Sequence, residues 1–369
     1  MNDSAEFAPQ LYPPFPKDTN PVIHLSTISL SELLAGSDAE QARLFEICRT
    51  QGFFYLDFSG TKSESLVKEA EAIGRLSETV FKLPLEEKQD KEPKKPFSLL
   101  GYKRVGKTKT DDQGIPDTAE FMNVGKDDIL DTPHHIPTTP PAIVFESANR
   151  AMLASFVVGC HGVGLDIMSV LATKTGLPED VFSHSNCLKA PCDSHCRMIR
   201  GPPRRSTDLP EIQTPGHTDF GTITILFNWL GGLQVWSEPS RGNFHKQFEG
   251  DQPEGGAAGR WLWVKPKPGH AIVNLGDAAV QFTGGILCSA RHRVVPAPGE
   301  QGLWPRYSVV YFVRPNDEVV MKRLRGGMVP PLPEGEEEEE LTAAQHQQKK
   351  FRAMQEGARE VNTAKTDRN

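Results

Sequence analysis

The sequence predicts an α+β protein in which helices flank a β-sandwich or open barrel. Three observations carry this. Up to Leu83 the chain mixes amphipathic helical stretches with short apolar strands. Residues 140–176 read as one long helical stretch ending at Gly176. From residue 186 onward there are seven short β-rich runs separated by glycine and proline.

Taken in order, residues 1–20 are rich in proline and polar groups and predict an irregular arm. "PVIHLSTISL" (21–30) reads as a short strand entering a helix. "AEQARLFEICRTQ" (39–51) has helical spacing, with Ala42, Phe45 and Cys48 or Arg49 on successive turns, and stops at Gly52. "FFYLDF" (53–58) follows as a strand, and "SESLVKEAEAIGRLSETVFKL" (63–83) as an amphipathic helix closed by Pro84. Residues 101–124 look like two strands around a long Gly/Pro/Asp turn. The seven later runs are "CRMIRG", "FGTITILF", "GGLQVW", "WLWVKP", "HAIVNLG", "HRVVPA" and "RYSVVYFV". A polar, glycine-rich loop, 238–259, interrupts them and is expected to cover or border a site. The acidic run 334–340 is expected to cap the N-terminal end of a last helix. That helix reads as a lid or a dimer contact. The chain thus divides into an arm (1–20), a mixed α/β region packing on the core (21–185), the core (186–320) and a C-terminal extension (321–369).

At 369 residues and 37% hydrophobic, the chain can bury one large core. A formal charge of −7 gives no reason to expect nucleic acid or an anionic membrane as partner. No segment reads as the ~18 or more apolar residues of a membrane span, and the N-terminus carries acids and no apolar h-region. Six scattered cysteines read as reduced thiols of a cytoplasmic protein. Cys192 and Cys196 flank His195 in "CDSHC", a zinc-like spacing without a second pair to complete four ligands.

In "PGHTDFGTITILF" (215–227), His217 and Asp219 stand two apart at the head of a β-branched run. On a strand they share a face, and an imidazole with a carboxylate makes two ligands for a divalent metal. The competing reading is loop chemistry, since Pro215 and Gly216 precede them. His292 opens another β-like run and supplies a third donor. Two histidines and one carboxylate with open positions suit non-haem Fe(II) in oxygen chemistry. Arg306 and Ser308 also stand at i and i+2. An isolated strand arginine faces water, but a guanidinium beside a hydroxyl clamps a carboxylate well. Next to a candidate iron triad the reading is a carboxylate-bearing co-substrate. His134, His135, His161 and His270 lack a carboxylate at i+2 on a strand. Gly231, Gly232 and Gly276 read as turn residues, and Asp277 as a turn carboxylate.

The order "HTD … GGLQVW … AIVNLGD … HRVV … RYSVVYF", with "ARLFEICRTQGFFYL", "VFKLPLEEK" and "GYKRVG" upstream, resembles the Fe(II)/2-oxoglutarate-dependent dioxygenases of the isopenicillin N synthase-like group. In style it is similar to fungal members that tailor natural products. The resemblance implies a double-stranded β-helix (jelly-roll) core with flanking helices, and His217, Asp219 and His292 holding Fe(II). It implies Arg306 and Ser308 holding the distal carboxylate of 2-oxoglutarate, with O2 as oxidant. Succinate and CO2 would be released as an unactivated C–H bond of a small molecule is oxidised. Tyr102, Phe121 and Phe312 are candidate pocket residues, with core packing as the competing reading. The sequence departs from the family at "RMIRGPP" (197–203), where Ile199 and Gly201 replace polar co-substrate contacts. Either Arg200 substitutes or the contact is absent. The departure keeps a second reading in view: an oxidase on this scaffold without 2-oxoglutarate, the substrate's own carboxylate filling the arginine–serine clamp.

Overall fold

A computed structural model describes residues 6–93, 98–108, 115–132, 140–204, 212–237 and 259–355. His134 and His135, and nearly all of the 238–259 loop, lie outside the described residues. The strands are β1 (Thr27–Ser29), β2 (Phe53–Asp57), β3 (Gly101–Lys103), β4 (Glu120–Gly125), β5 (His195–Gly201) and β6 (Thr214–His217). They continue as β7 (Ile223–Asn228), β8 (Leu233–Ser237), β9 (Arg260–Trp263), β10 (His270–Leu275), β11 (His292–Val294) and β12 (Arg306–Val313). The helices are α1 (Leu30–Leu34), α2 (Asp38–Thr50), α3 (Ser65–Lys82), α4 (Leu85–Gln89), α5 (Lys126–Leu130), α6 (Ser147–Thr175), α7 (Val181–Ser185), α8 (Asp277–Phe282) and α9 (Ala343–Gln355).

The strands form two sheets, one of eight in the order β1-β2-β10-β7-β12-β5-β4-β3 and one of four in the order β6-β11-β8-β9. Phe53, Tyr55 and Ile272 of the large sheet pack with Leu233, Val235 and Leu262 of the small one, forming the core between the sheets. This is the jelly roll that the resemblance implies, one form of the sandwich or open barrel that the seven β-rich runs predict. The N-terminal strands β1–β4 are part of it, extending both edges of the large sheet.

The period-2 alternation of β12 sorts its side chains. Tyr307, Val309, Tyr311 and Val313 pack outward into the main core, which α3 and α6 cover. Arg306, Ser308, Val310 and Phe312 therefore point between the sheets. The same alternation on β5 sends Cys196 and Met198 outward and His195, Arg197 and Ile199 inward. Cys196 is thus turned away from His195, and "CDSHC" gathers no zinc ligands.

Several expectations are corrected. The buried stripe of α2 is Glu40, Leu44, Ile47 and Cys48, with Phe45 only half-buried. The i, i+3, i+4 spacing runs through Leu44 and not through Ala42. Helix α6 is, by length and composition, long and apolar enough to cross a membrane. Phe156, Cys160, Ile167 and Met168 on it are fully buried against the sheet and neighbouring helices. The acidic run does not cap α9. Thr342 Oγ1 accepts from the Gln345 amide, and Gln345 Oε1 accepts from the Thr342 amide, a capping box. Glu338, Glu339 and Glu340 instead pair with Arg323, Lys349 and Lys322.

His161 of α6 is buried between the Tyr311 hydroxyl (Nδ1, 3.0 Å) and the Asn186 carbonyl (Nε2, 2.7 Å). Burial pushes its pKa down to about 4. Because the folded state resists the proton that the unfolded chain takes up near ~6.5, the stabilisation is complete above that value. It is lost as the pH falls through about 4. On the order of 3 kcal/mol is expected from this residue. Urea midpoints should fall between pH 7 and pH 4.5, and fall less in His161→Gln; equal slopes would count against the assignment.

Candidate active site

His217 and His292 meet across the small sheet. They are direct partners in the β6–β11 pairing, with ring centroids 4.3 Å apart. Each ring is oriented by its own backbone. His217 Nδ1 donates to the Pro215 carbonyl (2.8 Å) and His292 Nδ1 to the Ala290 carbonyl (3.1 Å). A proton held on Nδ1 leaves the Nε2 lone pair free, as a metal ligand requires. Phe53 packs edge-on against His292 at 5.4 Å.

Asp219 completes the group in a way the strand pattern did not foresee. Strand β6 ends at His217 and β7 begins only at Ile223, so Asp219 sits in the intervening turn. Its Oδ1 nevertheless lies 3.7 Å from His217 Nε2 and 3.9 Å from His292 Nε2. Its Oδ2 accepts from Thr224 Oγ1 and Asn274 Nδ2, both at 2.7 Å. One oxygen is therefore anchored and the other is aimed at the imidazoles. Burial works to raise the Asp219 pKa, but the two histidines and these two hydrogen bonds outweigh it and hold it at about 2. Burial first, then His292, pushes His217 down to about 4. At neutral pH the carboxylate is ionised and His217 neutral. Among the described residues, this is the one group of three His, Cys, Asp or Glu side chains close enough to share a metal ion.

The turn is braced from behind. Asp277 accepts from Thr218 Oγ1 (3.0 Å) and from Ser289 Oγ (2.8 Å), and Lys350 of α9 pairs with it. Asp277 is thus a brace and not a ligand. Helix α9 reaches the same turn through Phe351, edge-on to Phe220 at 5.7 Å.

Arg306 lies across the barrel on β12, 2% exposed. Its Nε donates to the Gly231 carbonyl (2.7 Å) and its Nη1 to Ser308 Oγ (3.2 Å). Burial lowers its pKa to about 10, so it remains a cation. Among the described residues no carboxylate is within ion-pair distance of it. Gly232 permits the close approach: its φ is +108°, and a Cβ there would stand 3.0 Å from Arg306 Nε.

Residues 21–146 match the family model described as the N-terminal part of the non-haem dioxygenase in morphine synthesis, and residues 192–315 match that of the 2OG-Fe(II) oxygenase superfamily. A 2-oxoglutarate-dependent dioxygenase of Aspergillus fumigatus is 32% identical over 337 residues, covering 87% of this chain and 83% of its own. The chain belongs to the 2OG-Fe(II) oxygenase superfamily. A second dioxygenase of this kind, from Glarea lozoyensis, is 30% identical, covering 83% of this chain and 84% of its own. The solved structure of a full-length Neurospora crassa protein in complex with alpha-KG shares the fold. Its TM-score is 0.69 at 22% identity, covering 91% of this chain and 98% of that one. This oxygenase accordingly uses Fe(II), 2-oxoglutarate and O2. The donor set fits the metal: two oriented imidazoles and one anchored carboxylate converge from one side, with no sulfur and no fourth protein ligand among the described residues.

The remaining sequence candidates separate. Phe121 and Phe312 flank the Arg197 guanidinium at 4.5 and 4.8 Å, on the inward face. Tyr102 points the other way, into the outer core, with its hydroxyl donating to Glu120 Oε2 (2.7 Å). Arg200 is also turned outward, pairing with Glu6 and Glu120, so it does not substitute for the family's polar contact. Ile199 faces Ser308 in the β5–β12 register, and Gly201 faces Arg306. The space over Gly201 is filled by Gln213: a Cβ on Gly201 would fall 2.1 Å from Gln213 Oε1. Gln213 is buried, its Nε2 donates to the Pro202 carbonyl (3.0 Å), and its Oε1 has no partner. Gln213, Thr224, Asn274, Arg197 and Arg314 were all missed in the sequence. Only Gly201 hinted at one of them, since a glycine in a strand marks close approach by another group.

Proposed function

We propose that this oxygenase oxidises an unactivated C–H bond of a small organic molecule of the secondary-metabolite type, in the cytoplasm, coupled to conversion of 2-oxoglutarate to succinate and CO2. In this reading His217, Asp219 and His292 hold the iron, and Arg306 and Ser308 hold the distal carboxylate of 2-oxoglutarate. Phe121 and Phe312 border the substrate, and all seven residues except Phe121 belong to the core segment 186–320. The observation that carries it is the convergence of two Nε2 atoms and one Oδ1 atom, each with its other polar atom already hydrogen-bonded.

The bound metal supplies the oxygen chemistry, and the chain supplies position and electrostatics. Asp219 brings a full negative charge to the metal, and the backbone carbonyls of Pro215 and Ala290 keep both imidazoles in the ligating tautomer. Arg306 presents a fixed cation at the opposite end of the co-substrate. Gln213 offers the polar amide that Gly201 lacks.

The test is substrate-dependent succinate. Purified protein with Fe(II), ascorbate and 2-oxoglutarate is offered a panel of small metabolites. A productive substrate should gain one oxygen or lose two hydrogens with one succinate per turnover, and chelation of iron should stop both. Oxygen consumed without succinate would favour the oxidase reading instead. Thr224→Val and Asn274→Ala should each weaken iron binding by roughly 10–100-fold, as loss of ligand-orienting partners does. Iron titration reads this, and unchanged affinity would contradict the role given to the Asp219 anchors.

A further inference from the structure

Two further arginines lie near the candidate iron site, and neither has a counter-ion among the described residues. Arg314, directly after β12, is 5% exposed, and its Nε and Nη1 have no hydrogen-bond partner. Its guanidinium lies 5.8 Å from the Phe312 ring and 5.7 Å from the ring of Phe220, the residue that follows Asp219. Arg197, between Phe121 and Phe312, donates Nε to Asn123 Oδ1 (2.7 Å) and meets His195 Nε2 at 3.5 Å. His195 is fully buried, donates Nδ1 to the Asp193 carbonyl (2.7 Å) and packs on Phe312 at 4.7 Å. Burial, then Arg314 and Arg197, holds its pKa well below the usual histidine value, so it is a neutral acceptor.

Among the described residues no carboxylate is within ion-pair distance of Arg197 or Arg314. Asp317 lines the small pocket beside Arg314, together with Phe220 and His346, yet stands beyond that distance. His346 presents a buried Nε2 that also has no partner. A buried guanidinium with unsatisfied donors, such as Arg314, is costly, and repulsion from the half-buried Arg197 adds to that cost. Binding of the cofactors does not relieve this. Iron and Asp219 leave one positive charge, which 2-oxoglutarate and Arg306 together cancel. Among the described residues Arg197 and Arg314 are left without an ion-pair partner, Asp193 and Asp219 acting on Arg314 only from beyond that distance.

We propose that the substrate is an anion, a carboxylic acid with an adjoining ring or apolar body, whose carboxylate is received by Arg314 and Arg197 while the body packs on Phe121 and Phe312. This rests on the functional reading above and names the substrate class for that same site. A planar carboxylate matches the guanidinium fork, and a buried pairing of this kind strongly rejects the neutral isostere, which leaves the donors unpaired.

The experiment is a calorimetric titration of the anaerobic enzyme loaded with Fe(II) and 2-oxoglutarate. The ligands are benzoate, phenylacetate and 3-phenylpropionate, each against its own carboxamide. At least one acid should bind about tenfold or more tightly than its amide. In Arg314→Gln and in Arg197→Gln that preference should shrink to within about twofold. If every amide binds as tightly as its acid in the unaltered protein, the proposal is overturned, whether or not the variants fold. A preference that survives in both variants overturns it as well. Failure of the preceding iron and 2-oxoglutarate titrations would bring down the functional reading itself, so the two failures are distinct.

Discussion

Asp219→Asn is expected to give a folded protein that retains no iron and forms no succinate. The substitution is nearly isosteric. An asparagine oxygen in the place of Oδ2 still accepts from Thr224 Oγ1 and Asn274 Nδ2. Its amide nitrogen then points at the two Nε2 atoms, which lie 3.7 and 3.9 Å from the present Oδ1. The buried hydrogen bonds survive, so little stability is lost. What disappears is the charge. Asp219 is held at a pKa of about 2, a full anion at working pH, and its removal leaves two imidazoles and an amide, with no anionic ligand, to bind a dication. Changes to ligand-orienting partners alone cost roughly 10–100-fold in metal affinity, so loss of the anionic ligand should cost more. Iron per protein chain after desalting, and succinate formed from 2-oxoglutarate, measure the two consequences. Iron retention and turnover within a few fold of the unaltered protein would refute the ligand assignment.

The same residue shows how far the sequence could be read. The pair His217 and Asp219 was legible as a metal-binding candidate, and so was His292 as its partner. The reason offered was not the one the structure uses. A continuous strand would have put the first two on one face, whereas β6 stops at His217 and a turn brings the carboxylate round. Spacing reports that two groups can meet, and the backbone has more than one way of making them do so. The jelly-roll strands were legible because each is a short apolar run bounded by glycine or proline. The joining of β1–β4 to the large sheet was not, because pairing between distant strands leaves no local trace.

Residues whose meaning depends on what they lack were the least legible. Arg200, Arg197 and Arg314 read alike as arginines in or beside β runs. One proves to be paired with Glu6 and Glu120, and the others face inward without a carboxylate among the described residues. Tyr102 and Phe121 lie on one hairpin, and strand alternation alone decides that the first packs into the outer core and the second faces inward against Arg197. Gln213 is placed by the missing side chain of Gly201, a relation across the sheet that no window of sequence contains.

Arg306→Leu should weaken 2-oxoglutarate binding by roughly 30-fold to several thousand-fold while leaving iron binding intact. That range follows from the ~2–5 kcal/mol lost when one partner of a buried, hydrogen-bonded charge pair is truncated. Arg306 is 2% exposed, and its pKa, pulled down to about 10 by burial, still leaves it charged at neutral pH. Two of its donors are committed to the Gly231 carbonyl and Ser308 Oγ, which fixes the guanidinium plane and leaves its far edge for a ligand. Iron should be spared because His217 and His292 come from the small sheet and Arg306 from the large one. The fold should be spared too, since exchanging a buried unpaired cation for an apolar side chain is often neutral or stabilising. Against that stand the Gly231 carbonyl and Ser308 Oγ, each left without its arginine donor. Arg306→Lys should fall between the two, because an ammonium keeps the charge but loses the fork that both anchors the side chain and grips a carboxylate. Ser308→Ala, which removes one neutral hydroxyl, should cost only about 0.5–1.5 kcal/mol. Anaerobic titration of each iron-loaded variant with 2-oxoglutarate gives the series. Affinity in Arg306→Leu within about threefold of the unaltered protein would mean that the co-substrate's distal carboxylate is held elsewhere.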